Sequence, residues 1–84
     1  MYSVEPVGPE VTATIDALPE DLVGPFVELR AALEVAPWSV GQPYVPSTPR
    51  GSRTVSFGAE GRGFVLFMVS EHERRVTLIQ LVFL

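Results

Sequence analysis

Two arginines are the residues of this sequence best suited to bind an anion. Arg53 and Arg62 each stand near the start of a predicted strand, and a planar guanidinium pairs with phosphate or carboxylate through two parallel hydrogen bonds. We therefore predict Arg53 and Arg62 as candidate catalytic residues that form a clamp for such a group. The alternative is that each marks a solvated strand end. Because Arg53 stands five residues before Gly58 and Arg62 one residue after Gly61, they are not expected to be cross-strand partners.

His72 is the only side chain whose unperturbed pKa, ~6.5, suits proton transfer near neutral pH. It lies in a run of alternating acids and bases, Glu71-His72-Glu73-Arg74, which is typical of a solvated hairpin turn. Catalysis by this histidine would also need a group within reach that stabilises phosphate charge. With one histidine and no cysteine, disulfides, cysteine zinc sites and thiol catalysis are excluded. We expect no metal and no cofactor.

The composition indicates a small domain with a dense core. Of 84 residues, 46% are hydrophobic and 19% are charged, a balance typical of a folded chain. We expect one domain over residues 1–84, soluble and cytoplasmic. No stretch is long enough to span a membrane, and the N-terminus lacks the basic and apolar regions of a signal peptide.

The charge is negative overall and unevenly distributed. Residues 1–49 contain one arginine against seven acids, which gives −6, and residues 50–84 contain five arginines against three acids, which gives +2. The net charge of −4 argues against strong nucleic-acid binding, since proteins that bind nucleic acid neutralise phosphates with basic side chains. The basic part of the chain is the part that contains Arg53 and Arg62.

Hydrophobic spacing predicts an α+β fold. The predicted elements are a strand over 2–5, a helix from 9 to 18, a second helix that starts at 19 or only at 24 and ends by 36, and strands over 53–57, 64–69 and 76–84. The buried stripe of the second helix is expected to contain Leu22, Phe26, Leu29 and Leu33, widened by Val23 and Val27. The order is β-α-α-β-β-β, with a two-helix hairpin packed on a four-stranded antiparallel sheet.

The last two strands are apolar on both faces, although two helices cover only one face of a sheet. Strict alternation puts Val65, Phe67 and Val69 on the face opposite Phe64 and its neighbours. We predict Val65, Phe67 and Val69 as a partner-binding surface, because a large exposed apolar patch is rare in a soluble monomer. The partner is either a second copy of the chain or a different protein.

The proline-rich loop over residues 37–51 offers another cover for that face. Loops of ~15 residues without secondary structure are uncommon in compact domains and are often functional. Trp38 follows Pro37 at its start, and an exposed tryptophan is a frequent anchor in protein interfaces. We predict Trp38 as a partner-binding residue. The alternative is that it caps the core beneath the loop.

Taken in order, these segments resemble the RelE/ParE superfamily of toxin–antitoxin toxins. The resemblance is carried by Tyr2–Glu5, by Ile15-Asp16-Ala17-Leu18-Pro19 between the helices, by the helix around Phe26–Arg30, and by the closing strands. It covers nearly the whole chain. The resemblance implies a β-α-α-β-β-β domain with a concave sheet, an antitoxin partner whose segment wraps the toxin, and either ribosome-dependent mRNA cleavage or action on DNA gyrase.

Two hypotheses for function follow. In the first, the chain is a RelE/ParE-like toxin, in which Arg53 and Arg62 match the basic sheet positions of the family and the target is the ribosome and its mRNA. In the second, it is a non-catalytic interaction module of the same fold, which dimerises or binds a peptide through its second apolar sheet face. The final strand favours the second, since Val82-Phe83-Leu84 offers no group that moves a proton, where active interferases carry His or Tyr.

Overall fold

The chain forms a five-stranded sheet with two helices on one side. The computed structural model describes residues 1–84. The strands are β1 (Ser3–Pro6), β2 (Gln42–Pro43), β3 (Arg53–Phe57), β4 (Gly63–Ser70) and β5 (Arg75–Phe83). The helices are α1 (Pro9–Asp16) and α2 (Glu20–Val35), and short 3₁₀ turns cover Pro37–Ser39 and Ala59–Gly61. The predicted α+β class and element order are confirmed.

The sheet differs from the predicted four-stranded antiparallel one in two respects. Its order is β1-β5-β4-β3-β2, and β1 pairs with β5 in parallel while the other pairs are antiparallel. The two helices lie between β1 and the later strands in the chain and carry it across the sheet, and such a crossover allows parallel pairing. The fifth strand, β2, comes from the proline-rich loop. Tyr44 N donates to the carbonyl of Ser52 at 2.9 Å, so this part of the loop is a hairpin at the edge of the sheet.

Helix α2 begins at Glu20 rather than at the later start that Pro25 allowed. Glu20 and Asp21 lie in the first turn, where acids interact favourably with the helix dipole. Leu22 is fully buried and anchors that turn in the core. The helix ends at Val35, before Pro37, as predicted. Neither helix has both the length and the apolar character that crossing a membrane requires.

The core lies between the helices and one face of the sheet, which we call the inner face. The predicted α2 stripe is confirmed for Leu22, Phe26, Leu29 and Leu33, which are all buried. The prediction that Val23 and Val27 widen it is wrong, because they are 46% and 59% exposed. The inner face supplies core residues from four strands: Val4 of β1, Val55 and Phe57 of β3, Val65 and Phe67 of β4, and Val76, Leu78 and Leu81 of β5, with Val55 only partly buried. The Phe26 and Phe57 rings pack at a centroid distance of 5.7 Å.

The prediction that Val65 and Phe67 bind a partner is wrong. Both are 0% exposed in the core beneath the helices, and Val69 is partly buried against the same cluster. Alternation separated the two faces of β4 correctly, but period 2 carries no information on which face the helices cover. The face without cover is the one that contains Phe64, Leu66 and Met68.

A β-bulge changes the alternation of β5. Leu66 lies opposite Gln80, but Phe67 lies opposite Leu78, so Ile79 is the extra residue. Leu78 and Leu81 are consequently both buried on the inner face, although strict alternation along β5 would put residues three positions apart on opposite faces. A bulge puts two residues of one strand opposite one residue of its partner and so reverses the side-chain parity beyond it.

Candidate functional site

The uncovered side of the sheet is the candidate functional site, and we call it the outer face. Cross-strand pairing aligns its side chains in three rows, Ser56–Phe64–Val82, Thr54–Leu66–Gln80 and Met68–Thr77–Glu5. Residues in one row project to the same side of a sheet. The outer face therefore contains Thr54, Ser56, Phe64, Leu66, Met68, Thr77, Gln80 and Val82, with Glu5, Ser70 and Arg75 at the end near the β4–β5 turn.

The outer face is apolar at its centre and exposed. Met68 and Val82 are 47% and 45% exposed, and Phe64 and Leu66 are half-buried between their neighbours. The loop over 37–51 does not seal this surface, because its strand β2 adds to the edge of the sheet. Between β2 and β3 the edge leaves an open cleft of about 320 Å³, lined by Gly41, Gln42, Thr54, Val55, Ser56 and Phe64.

Arg53 lies on the inner face and not on the outer face. It is 7% exposed and pairs across the sheet with buried Phe67. Its guanidinium donates to the carbonyls of Trp38 at 3.3 Å, Val40 at 3.1 Å and Gly41 at 3.2 Å. Arg53 thus fixes the start of the loop to β3. The face on which Arg53 lies could have been predicted from the sequence, because alternation in β3 puts Arg53 on the same side as Val55 and Phe57.

Arg62 joins three chain segments at the other end of β3 and β4. Its guanidinium donates to Asp21 at the start of α2 and to the carbonyl of Leu84 at 3.0 and 2.8 Å. The structure therefore does not bring Arg53 and Arg62 together, and the absence of cross-strand pairing between them is confirmed. Both guanidinium groups instead donate hydrogen bonds to other segments of the same chain.

Four side chains, Glu71, Tyr2, Trp38 and Arg74, form a group that we call the Glu71 cluster. It connects the start of β1, the loop and the β4–β5 turn. Tyr2 Oη and Trp38 Nε1 both donate to Glu71 Oε1, and Arg74 Nη1 donates to Glu71 Oε2 at 3.2 Å. Arg74 also stacks over the Tyr2 ring at 4.2 Å. Sequence reasoning missed Tyr2 and Glu71, because residues 69 positions apart show no local pattern.

Hydrogen bonding sets the ionisation of this cluster. The bonds from Tyr2, first, and from Trp38, second, lower the pKa of Glu71 below its ordinary value, because they stabilise the carboxylate. The same bond to Glu71 raises the pKa of Tyr2, with a further contribution from burial. Trp38 is half-buried, and its indole N–H is occupied within the chain. The guanidinium groups of Arg50 and Arg53 lie 5.2 and 5.8 Å from its ring.

The turn that contains His72 is self-neutralising, as predicted. His72 is exposed within the turn between β4 and β5. Arg75 lies 3.5 Å from a carboxylate oxygen of Glu5 and 3.9 Å from one of Glu73. No group of three or more His, Cys, Asp or Glu side chains is arranged to hold a metal ion.

The chemistry available on the outer face is that of a binding surface. Its centre offers aliphatic and aromatic side chains, and its margin offers hydroxyl and amide groups. Its one cation, Arg75, lies beside the carboxylates of Glu5 and Glu73 at the turn end of the sheet, whereas binding of a phosphodiester relies on cationic groups that are free to pair with phosphate. An apolar centre with a polar margin is the usual anatomy of a protein–protein interface.

Two solved structures are similar to this chain over almost its whole length. The toxin–antitoxin complex RelBE2 from Mycobacterium tuberculosis contains a chain with a TM-score of 0.72 and 18% identity, with 99% of this chain and 91% of that chain covered. The archaeal RelE–RelB complex from Pyrococcus horikoshii OT3 gives 0.67 and 17%, with 98% and 93% covered. No protein-family model and no curated protein matches the sequence. This chain therefore has the fold of the RelE toxins.

Proposed function

We propose that this chain is the toxin-fold member of a cytoplasmic toxin–antitoxin pair and that its outer face binds an apolar segment of the antitoxin. The observation that carries the proposal is the exposed apolar centre of the outer face, Phe64, Leu66, Met68 and Val82, on a sheet whose other face is already filled. Both similar structures are complexes of a toxin with its antitoxin, which supports the choice of partner.

Binding, and not mRNA cleavage, is the activity that the geometry supports best. Cleavage of a phosphodiester needs a group that moves a proton and cations that stabilise charge on the phosphate. Arg53 is buried on the inner face, Arg62 is engaged with Asp21 and Leu84, and His72 lies in the turn at one end of the sheet. We therefore propose that the outer face acts by holding a protein segment.

The test is complex formation with the protein encoded next to this chain in its genome. Co-expression followed by affinity capture and light scattering should give a stable complex. Leu66→Lys combined with Met68→Lys should abolish it, since two ammonium groups would be buried unpaired in the interface. Val45→Lys is the matched control, because Val45 is as exposed as Met68, 46% against 47%, and lies in the β2–β3 loop.

A ribosome assay separates the two hypotheses for function. Purified chain added to ribosomes that carry a defined mRNA should leave the message intact, as measured by primer extension. Cleavage that depends on the chain and disappears in Arg62→Ala would contradict a binding-only role. Absence of any complex with the adjacent-gene protein, in spite of a folded chain, would contradict the proposed partner.

A further inference from the structure

The Glu71 cluster brings three hydrogen-bond donors from separate segments to a single carboxylate. Tyr2 Oη and Trp38 Nε1 donate to one oxygen of Glu71, and Arg74 Nη1 donates to the other at 3.2 Å. A carboxylate is an acceptor only, with two oxygens to satisfy, and a guanidinium is its strongest donor. The arrangement of the three donors is therefore that of a carboxylate-binding site.

Two of the donors are held in place by contacts that do not involve Glu71. Arg74 Nη1 donates to Tyr2 Oη at 3.2 Å, and its guanidinium stacks over the Tyr2 ring at 4.2 Å. The Tyr2 side chain is buried, and its main-chain N–H donates to the carbonyl of Glu34 at 2.9 Å. Tyr2 and Arg74 thus support each other whether or not a carboxylate is bound.

The third donor, Trp38, is held in the same way. The guanidinium groups of Arg50 and Arg53 lie against its ring at 5.2 and 5.8 Å, and Arg53 also donates to its main-chain carbonyl at 3.3 Å. Donors that are fixed before a ligand arrives lose little conformational freedom when it binds. The site is therefore preorganised for a carboxylate.

The surroundings of the site carry more positive charge than Glu71 neutralises. Three guanidinium groups, those of Arg50, Arg53 and Arg74, lie around the cluster against the one carboxylate. Residues 35–59 contain no acid, and Arg50 takes part in no ion pair. An excess of one sign of charge attracts ligands of the opposite sign, so the site favours an incoming anion.

The present occupant is attached to the site by its side chain alone. Glu71 lies in the turn between β4 and β5, and its side chain is 40% exposed. The last cross-strand pair before the turn is Ser70 with Arg75, so the Glu71 carboxylate can rotate away without unpairing the strands. Exposed turns are the parts of a domain that move most readily.

We propose that the Glu71 cluster is a carboxylate-binding site that the free chain fills with its own Glu71, and that acidic side chains of another protein exchange with Glu71 there. A carboxylate of the same chain competes at an effective concentration of about millimolar or more. A lone foreign carboxylate does not displace it, whereas an acidic segment does, because it also pairs with Arg50. The proposal does not depend on the contact made by the outer face.

The first experiment is chemical rescue of Glu71→Ala, whose site lacks its own carboxylate. Formate should raise the midpoint of thermal unfolding of this variant in a concentration-dependent way, because it binds the folded chain alone. Chloride at equal ionic strength should not. Glu73→Ala is the control, since Glu73 lies in the same turn and pairs with Arg75 instead. Equal effects of formate and chloride, or the same rescue of Glu73→Ala, would overturn the carboxylate site.

The second experiment measures exchange in the unmodified chain through the fluorescence of Trp38, its only tryptophan. Hexaglutamate with an amidated C-terminus should change this fluorescence to saturation, and hexaglutamine should not. Glu71→Ala should bind hexaglutamate at least about tenfold more tightly, because the internal competitor is gone. Arg74→Met should bind it about tenfold more weakly than the unmodified chain does, because a charged donor is lost.

The outcomes separate the site from the exchange. Binding of hexaglutamate to Glu71→Ala with none to the unmodified chain would overturn the exchange and make Glu71 a permanent part of the fold. Binding that is unchanged in Arg74→Met would place the peptide elsewhere and overturn the site itself. Should Glu71→Ala fail to fold, the comparison of the unmodified chain with Arg74→Met decides both statements.

Discussion

The two faces of this sheet contain similar apolar residues, but one face is buried and the other is exposed. On β4, Val65 and Phe67 are 0% exposed, while Met68 on the other face is 47% exposed. The difference arises from the helices, whose buried stripe covers one face alone. A strand that is apolar on both faces therefore fills the core with one face and leaves the other exposed, available for the association that we propose. The following predictions test that division.

The largest loss of stability is expected from a substitution on the inner face. Phe67→Ala should lower the free energy of unfolding by about 3–5 kcal/mol, because it leaves a cavity in a packed core. Leu66→Ala, one residue away on the outer face, should cost about 1 kcal/mol, since Leu66 is already partly solvated. Urea unfolding of both variants measures the contrast. Similar losses at the two positions would show that both faces are packed inside the folded chain.

Arg53 belongs to the inner face despite its charge. Arg53→Met should destabilise the fold by about 2–3 kcal/mol, because the carbonyls of Trp38, Val40 and Gly41 would lose their donor. The exposed Arg50→Met should change stability by about 0.5 kcal/mol or less. Thermal unfolding of the pair makes the comparison. A stable Arg53→Met variant that no longer acts on its target would restore the catalytic interpretation of this residue.

The Glu71 cluster should make stability depend on pH at both extremes. The folded pKa of Glu71 is lowered, so its contribution is present above the unfolded pKa of about 4.3 and is lost as the pH falls through the folded value. The pKa of Tyr2 is raised, so its contribution is present below about pH 10 and is lost as the pH rises through the folded value.

Replacement of the carboxylate isolates this effect. Glu71→Gln keeps the size of the side chain and removes the charge, so the acid limb of a stability–pH curve should become flatter than in the unmodified chain. Chemical denaturation between pH 2 and pH 7 measures it. Glu73→Gln is the control in the same turn. An acid limb unchanged in Glu71→Gln would show that the three donors do not stabilise the carboxylate.

A smaller loss of stability is expected from substitution of Arg62. Its ion pair with Asp21 is partly solvated, with 35% and 56% of the two side chains exposed, and pairs of this kind contribute about 1 kcal/mol or less. Arg62→Ala should therefore lower stability by about 1 kcal/mol. A loss as large as that of Arg53→Met would mean that the end of β5 depends on this guanidinium.

Local patterns were sufficient to predict the elements of this fold. The spacing of Leu22, Phe26, Leu29 and Leu33 identified the buried side of α2, and β3 occupies the residues that alternation gave it. Helix and strand periods are local properties, so they can be read from a single sequence. The segments that resembled RelE/ParE toxins also form the fold that the solved complexes share.

The face of the sheet that remains open could not be predicted in the same way. It depends on the side to which the helices cross, and both faces of β4 offer similar apolar residues. The bulge at Ile79 has no glycine to mark it, and the Glu71 cluster joins residues from distant segments. Only Arg53 was predictable in retrospect, because a charged residue that alternates with Val55 and Phe57 shares their face.

The most direct test of the open face is methyl NMR with a soluble gadolinium chelate, recorded with and without the adjacent-gene protein. In the free chain, the methyl signals of Leu66, Met68 and Val82 should broaden strongly, while those of Val65, Val76 and Leu78 should not. Binding should protect the first set and leave the second unchanged. Protection of Leu66 and Met68 in the free chain, or continued broadening in a formed complex, would contradict the account.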